Sequence, residues 1–306
     1  MTSQPGDLIS LVLTLRLVKK PNPEAELPDW WGRSTHAFFL KIIRQTDENL
    51  SDDLHESGSS LRPFTTSSLI GYSSRRGLET ERNYSLRLTG LNQEVTRHLW
   101  EASQPGKILH PGQMIELDYT PFEITANSIL TSRIQEPEAA HQSSNLWSRQ
   151  MTYQELSAPY LLAKTQPERQ VSLKFASPTS WKSAAGMHIP LPLPELVFNS
   201  LLSRWNAFAP VSLPDEVRRY AAECLAISRY QLSSRVIPQK RGSKRIGCVG
   251  EVTYASVSYD RYWMNVIQML ADFALYSGVG ISTTQGLGQC WRVTQQYQAP
   301  ERNAED

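Results

Sequence analysis

Leucine at every second position near the start of the chain is the feature that most constrains its fold. These residues are Leu11, Leu13, Leu15 and Leu17. The intervening positions of the segment 8–18 include Ser10, Thr14 and Arg16. A period of two is typical of a strand that buries one face, because successive side chains point to opposite faces of a sheet. The chain therefore needs a sheet and a layer of helices that covers its apolar face.

Apolar periodicities predict the element order β-α-β-β-α-β in the first half of the chain. The strands are expected over residues 8–18, 61–70, 84–88 and 114–124, the helices over 36–46 and 91–102, and an acidic, polar loop over 47–60. The second half repeats this plan, with a strand over 171–175, a strand pair around 233–258, a strand near 289–294, and helices after Pro194 and over 262–276. We predict an α+β fold of two tandem ferredoxin-like domains, each with a four-stranded sheet and two helices.

A polar stretch near the middle of the chain separates the two predicted units. Residues 135–150 have no apolar period. The length of 306 residues corresponds to roughly two domains. We therefore expect one domain over residues 1–134 and a second over residues 145–306.

Basic residues are concentrated in short segments, although the chain as a whole is nearly neutral. There are 31 Lys and Arg against 30 Asp and Glu, a net charge of +1, which excludes a bulk polycation but permits a local basic groove. Residues 233–247 contain no acid and five basic residues, Arg235, Lys240, Arg241, Lys244 and Arg245. A projecting hairpin with this composition suits RNA phosphates, and an ordinary solvated hairpin is the alternative. A second group comprises Arg62, Arg75, Arg76, Arg82 and Arg87.

Several common classes of protein do not fit the sequence. No segment approaches the roughly 20 apolar residues of a membrane span, and the first residues lack the pattern of a secretory signal. The three cysteines are far apart without a CxxC motif, and the histidines have no metal-ligand spacing. We expect a cytoplasmic protein with no membrane association, no metal site and no cofactor.

A glycine-rich segment, residues 276–291, follows the last predicted helix. Its glycines and threonines are Gly278, Gly280, Thr283, Thr284, Gly286 and Gly288. Glycines allow backbone amides to converge on an anion, and the hydroxyls add donors. The spacing matches neither a P-loop nor a dinucleotide fingerprint. A tight connection from helix to strand is the alternative.

Two histidines in the first half are candidates for proton transfer. His36 lies on the apolar face of a predicted helix, where it is either a buried structural residue or an acid–base group. His55 lies in the predicted polar loop, where a plain surface role is the alternative.

The chain resembles the CRISPR-associated repeat endoribonucleases of the RAMP superfamily (the Cas-six family). The resemblance rests on the order and spacing of four segments. They are Leu54–Glu56 followed by Arg62–Leu69, then Phe175–Thr179, then Pro190–Asn206, and then Gly247–Tyr254 leading into the glycine-rich segment.

This resemblance implies two tandem RRM-like domains and cleavage of CRISPR precursor RNA within its repeats without a metal. The products would be crRNA with 5′-hydroxyl and 2′,3′-cyclic phosphate ends. His55 matches the loop histidine of the family, and His36 matches a helix-start histidine of some members. Lys41 and Arg62 are candidates for stabilising charge on the phosphate from their chemistry, not from the resemblance. The basic run and the glycine-rich segment would bind the RNA.

The expected partners are CRISPR repeat RNA and, in addition, subunits of a Cas effector complex. A monomer and a homodimer both fit the sequence. One alternative is a catalytically inactive RAMP-type subunit that binds crRNA. A general RRM-type RNA-binding module is a further alternative, but the chain lacks an RNP1-like motif.

Overall fold

Two antiparallel sheets form the framework of the molecule. The structure is a computed structural model and describes residues 5–22, 27–56, 61–129, 147–162, 164–183, 185–238 and 243–293. Each sheet contains the strand order of a ferredoxin-like unit. The predicted α+β fold of two tandem ferredoxin-like units is confirmed.

The first sheet has the order β2-β3-β1-β5-β4, and a short strand β6 also pairs with β1. Its elements are β1 (Leu8–Leu17), α1 (Gly32–Arg44), α2 (Glu48–Glu56), β2 (Phe64–Thr66), β3 (Asn83–Gly90), α3 (Gln93–Ala102), β4 (Met114–Leu117), β5 (Thr120–Ser128) and β6 (Arg149–Met151). The alternating leucines of β1 are buried as predicted, and they pack with apolar residues of α1 such as Phe39 and Ile43. The hydrophobic pattern thus fixes which face of the sheet the helices cover.

The second sheet has the order β10-β11-β7-β12. Its half of the chain comprises α4 (Tyr153–Leu161), β7 (Gln170–Thr179), β8 (Trp181–Lys182), β9 (His188–Ile189), α5 (Pro194–Phe208), α6 (Glu216–Cys224), β10 (Leu225–Pro238), β11 (Lys244–Ser256), α7 (Arg261–Ser277), a 3₁₀ turn (Thr283–Gln285) and β12 (Cys290–Val293). The long helix α7 is almost completely buried and contacts strands of both sheets. The two halves therefore share an extensive packed interface.

Two local predictions were wrong. The expected loop over residues 47–60 contains helix α2, because the Asp47 carboxylate accepts the Leu50 amide at 2.9 Å and caps the helix. Leu50 and Leu54, four residues apart, then bury one face of that helix. The expected strand over residues 114–124 is a hairpin of β4 and β5, which turns through Asp118 and Tyr119, both at positive φ.

Candidate active site and RNA interface

His36 lies in the second turn of α1, at the contact between the two halves. Its ring stacks on Phe64, with the ring centroids 5.6 Å apart. Its Nδ1 lies 3.0 Å from the main-chain carbonyl oxygen of Thr284 in the 3₁₀ turn. A carbonyl can only accept, so Nδ1 carries the proton and donates it. In the neutral ring, the lone pair is therefore on Nε2, which is the form that a general base requires.

The surroundings of His36 favour its neutral form. Burial lowers the pKa of His36 below 6.5, and the positive charges of Arg62 and His55 lower it further. The hydrogen bond to the Thr284 carbonyl acts in the opposite direction. Arg62 and His55 are therefore close enough to His36 for their charges to act on it.

His55 and Arg62 meet on either side of residues 57–60. His55 lies in the last turn of α2 with its side chain exposed, so the prediction that it occupies a loop was wrong. One guanidinium nitrogen of Arg62, Nη2, donates to the His55 carbonyl at 3.0 Å. The other, Nη1, is buried and has no hydrogen-bond partner within the described part of the chain. Burial lowers the pKa of Arg62 from 12.5, and the side chain offers an unused N–H donor beside the two histidines.

Lys41 is not part of this group. It is exposed on α1, five residues after His36. That spacing places the two side chains on different faces of the helix. Arg62 is therefore the better placed of the two cations that the sequence offered.

Backbone amides of the glycine-rich segment donate to acceptors within the second half of the chain. The amides of Gly278, Gly280 and Gly288 donate to the Ala274 carbonyl, the Ser200 hydroxyl and the Pro178 carbonyl at 3.0, 2.9 and 3.2 Å. The prediction that these amides are free to converge on an anion was wrong, because protein acceptors already satisfy them. The alternative, a tight connection from helix to strand, describes the segment.

Gly286 and the two threonines join this segment to β2. Gly286 pairs with Ser67 in an isolated bridge. The Thr284 carbonyl accepts a second hydrogen bond, from the Thr66 hydroxyl at 2.8 Å. Thr283 is buried, and its side chain is only 3% exposed. The structure thus gives Thr284 a role through its carbonyl and leaves Thr283 in the core.

The basic run forms the distal part of the β10–β11 hairpin. Arg235 and Lys244 are exposed, as a phosphate-binding role requires. Arg245 is half-buried, and its Nη1 donates to the Ser282 hydroxyl at 2.6 Å. Lys240 and Arg241 lie outside the described residues. Arg245 therefore connects the hairpin to the segment that carries Thr284.

Two further basic side chains join the hairpin, and the sequence analysis missed them. Lys182 and His188 pair across the β8–β9 hairpin, and both are exposed. Burial lowers the pKa of His188 from 6.5, and the charges of Arg245 and Lys182 lower it further. No sequence signal identifies this group, because only the pairing of strands brings its members together.

A cavity of about 320 Å³ lies between the two halves, beside the 3₁₀ turn. Its lining includes Trp30, Arg33, Asp118, Pro238 and Gln285. Neither His36 nor Arg62 lines this cavity, so it is separate from the candidate site.

Two searches of the described residues returned no candidates. No helix among them is long and apolar enough to cross a membrane. No group of three or more His, Cys, Asp or Glu side chains among them is arranged to hold a metal ion.

Part of the chain is similar in sequence to CRISPR-associated endoribonucleases. A family model described as CRISPR-associated endoribonuclease Cas6 matches residues 173–290. A curated protein of that description from Mycobacterium tuberculosis is 27% identical over 149 residues, which cover 48% of this chain and 46% of the relative. Another, from Streptococcus thermophilus, is 29% identical over 143 residues, which cover 44% of this chain and 56% of the relative. The chain thus matches about half the length of these curated relatives.

A solved structure extends the similarity to nearly the whole chain. A Cas6 product complex is 26% identical and superimposes with a TM-score of 0.67. The match covers 94% of this chain and 99% of the solved chain. The resemblance found in the sequence is therefore confirmed in the fold.

Proposed function

We propose that this chain, a Cas6-type member of the RAMP superfamily, is an endoribonuclease that cuts CRISPR precursor RNA within its repeats without a metal. The observation that carries the proposal is the group formed by His36, His55 and Arg62, with one nitrogen of His36 fixed by the Thr284 carbonyl. This group combines a proton acceptor on His36 with hydrogen-bond donors on His55 and Arg62. Transfer of a phosphoester by acid–base catalysis needs these components.

The proposed reaction uses the RNA's own 2′-hydroxyl as the nucleophile. Nε2 of neutral His36 takes the proton of that hydroxyl, and the 2′-oxygen forms a bond to phosphorus. The bond from phosphorus to the 5′-oxygen breaks, and cationic His55 gives that oxygen a proton. The products are a 2′,3′-cyclic phosphate and a 5′-hydroxyl. Each proton transfer is typically worth about 10²–10⁴-fold in rate.

Arg62 supplies the remaining component. Its Nη1 has no hydrogen-bond partner among the described residues, the side chain as a whole is half-exposed, and its positive charge acts on His36. A hydrogen bond from this cation to a phosphate oxygen would stabilise the charge that builds up in the transition state. The hydrogen bond from Nη2 to the His55 carbonyl fixes the guanidinium in place.

The RNA would extend from this group to the basic hairpin. The exposed side chains of Arg235, Lys244, Lys182 and His188 supply phosphate contacts, and Lys240 and Arg241 belong to the same basic run. The solved relative described as a Cas6 product complex supports repeat RNA as the partner. The division into domains 1–134 and 145–306 is part of this proposal, with the histidines in the first and the hairpin in the second.

A cleavage assay on repeat RNA in excess EDTA tests the proposal. We expect the wild type to cleave, and His36→Ala and His55→Ala each to lose about 10²-fold or more in rate. His110→Ala is the matched control, because the His110 ring hydrogen-bonds to the neighbouring Pro111 carbonyl and not to a residue of the candidate site. A 5′-hydroxyl product accepts phosphate from polynucleotide kinase, which identifies the end chemistry.

Each contrary outcome overturns a different part. Full activity in both histidine variants would remove the assigned site, and a strict requirement for a metal would remove the reaction class. Tight binding of repeat RNA without any cleavage by the wild type would identify a crRNA-binding subunit of an effector complex instead of an enzyme.

A further inference from the structure

Arg87 is a buried cation in the interface between the two halves. It lies on β3 with 1% of its surface exposed, and burial lowers the pKa of its guanidinium to about 9. No carboxylate in the described part of the chain pairs with it. Burying a charge without a counter-ion costs free energy, so hydrogen bonds must stabilise the guanidinium. Nε donates to the Ser10 hydroxyl at 2.8 Å, and Nη1 donates to the side-chain oxygen of Gln289.

A chain of hydrogen bonds leads from Arg87 to His36. The Gln289 side-chain nitrogen donates to the Thr66 carbonyl at 3.2 Å. The Thr66 hydroxyl donates to the Thr284 carbonyl at 2.8 Å. That same carbonyl accepts Nδ1–H of His36 at 3.0 Å. Each link joins an element of the first half to the glycine-rich segment of the second.

The guanidinium of Arg87 determines how the side-chain amide of Gln289 is oriented. A glutamine amide has one accepting and one donating side, whereas a guanidinium can only donate. Arg87 therefore holds the oxygen of Gln289 toward itself and turns the NH₂ group toward the Thr66 carbonyl. Without this cation, the amide has no fixed orientation and the contact of Thr66 with Gln289 is lost in the flipped form.

We propose that Arg87 and Gln289 are positioning residues for His36, which hold the Thr284 carbonyl where it keeps the His36 proton on Nδ1. The inference rests on the proposed function, because it names residues that support the proposed base. The groups that act on the charge of His36 itself are Arg62, His55 and the Thr284 carbonyl. Arg87 is not among them, so its influence passes through the hydrogen bonds.

Gln289→Glu separates positioning from packing. The carboxylate keeps the size of the side chain and gains an ion pair with Arg87, but it cannot donate to the Thr66 carbonyl. We expect the variant to fold with an undiminished melting temperature and to bind repeat RNA within about twofold of the wild type, while cleavage falls about tenfold to a hundredfold. The hydrogen bond to Thr284 raises the pKa of His36, so its loss moves the His36 titration to lower pH.

The titration is measured by NMR on the RNA-free protein and does not require activity. Gln268→Glu is the matched control, because Gln268 is equally buried and donates to the main-chain carbonyls of Glu168 and Gln170 at 3.1 and 2.8 Å. We expect that variant to leave the His36 titration unchanged. If Gln289→Glu does not fold, Gln289→Met carries the same test without a buried charge.

The two proposals fail in different ways. An unchanged His36 titration in Gln289→Glu would overturn the positioning role, even if the wild type cleaves RNA. A wild type without cleavage would overturn the proposed function, while a displaced titration would still establish the hydrogen-bond link to His36.

Discussion

His36 commits one ring nitrogen to the fold and leaves the other for chemistry. Its Nδ1–H is bound by a carbonyl, which has no charge and therefore holds the tautomer without drawing the ring strongly toward its charged form. Nearby Arg62 and His55 disfavour a third positive charge. The two groups that act on the phosphate and on the leaving oxygen in the proposed reaction thus also favour the neutral form of the proposed base.

We expect the acid limb of the kcat/KM profile for cleavage to have its midpoint below pH 6.5. The pKa of His36 is lowered from 6.5, chiefly by burial. Because kcat/KM reports on the free enzyme, cleavage should fall only as the pH drops through this lowered value and protonates the base. Single-turnover rates at subsaturating protein, from about pH 5 to pH 8, measure the midpoint.

The free energy of unfolding should also decrease as the pH falls through this range. In the unfolded chain His36 takes up its proton near pH 6.5, before the folded protein does. Falling pH therefore favours unfolding across the window between 6.5 and the lowered value. His36→Gln should remove this pH dependence from the free energy of unfolding, measured in urea.

For the cleavage profile, an acid-limb midpoint at or above pH 6.5 would contradict the assignment of His36 as the base.

Sequence spacing could predict the helix face of His36 but not its partner. His36 and Thr284 are 248 residues apart, and only the docking of the second half on the first brings them together. His55 was identified as a candidate for the wrong local reason, since it lies in a helix whose cap and buried leucines were overlooked. The free N–H of Arg62 depends on burial, which no spacing reports.

At the scale of elements, glycines allow the backbone of the glycine-rich segment to pack very close to the first half of the chain. Gly286 has a φ of +84°, and a Cβ there would lie 2.5 Å from the Ser68 amide nitrogen. Gly32 at the start of α1 lies even closer to the segment, since a Cβ there would lie 1.8 Å from the Gln285 carbonyl oxygen. Glycine at both positions lets the Thr284 carbonyl reach His36.

Gly286→Ala should therefore destabilise the protein and impair cleavage together. The positive φ and the main-chain clash predict a loss of about 1–3 kcal/mol in the free energy of unfolding, measured by urea denaturation. The displaced segment would also withdraw the Thr284 carbonyl from His36, so the cleavage rate should fall in the fraction that remains folded.

Gly77→Ala is the control for this prediction. Gly77 has a similar φ of +69°, but nothing lies within 4 Å of a Cβ placed there. It should show the backbone cost alone and retain full cleavage. Equal activity in the two variants would show that the close approach of Gly286 does not position the site.

Long periodic elements could be predicted from the sequence, whereas two local features could not. The leucines of β1 and the apolar helix α7 have enough repeats to define a face. Helix α2 and the β4–β5 turn depend on one cap and on two residues at positive φ, Asp118 and Tyr119, which carry little periodic signal. The burial of the glycine-rich segment was missed because partners such as Ser200 and Ser67 are distant from it in the sequence.

At the scale of the whole molecule, near-neutral charge conceals a divided surface. The described part of the second half presents exposed cations at Arg235 and Lys244 on one hairpin and at Lys182 on the next. Acidic side chains such as Asp52 lie on α2, where Arg44 pairs with it at 2.9 Å. The net charge of +1 is therefore a poor guide to RNA affinity, which depends on the local arrangement of charge.

The double variant Arg235→Ala/Lys244→Ala should weaken RNA binding and flatten its salt dependence. Each lost phosphate contact reduces the number of counterions that are released on binding. The slope of log affinity against log salt should therefore fall in magnitude by roughly one per contact, or about two for the pair. Arg245 is left intact because its bond to the Ser282 hydroxyl supports the glycine-rich segment.

The matched control is Arg75→Ala/Arg76→Ala, which removes two exposed cations from the first half. Fluorescence anisotropy with repeat RNA over a range of salt concentrations gives both slopes. If the two double variants change the slope equally, the effect is one of overall charge and the hairpin has no special role; a change confined to the hairpin variant places the RNA backbone along it.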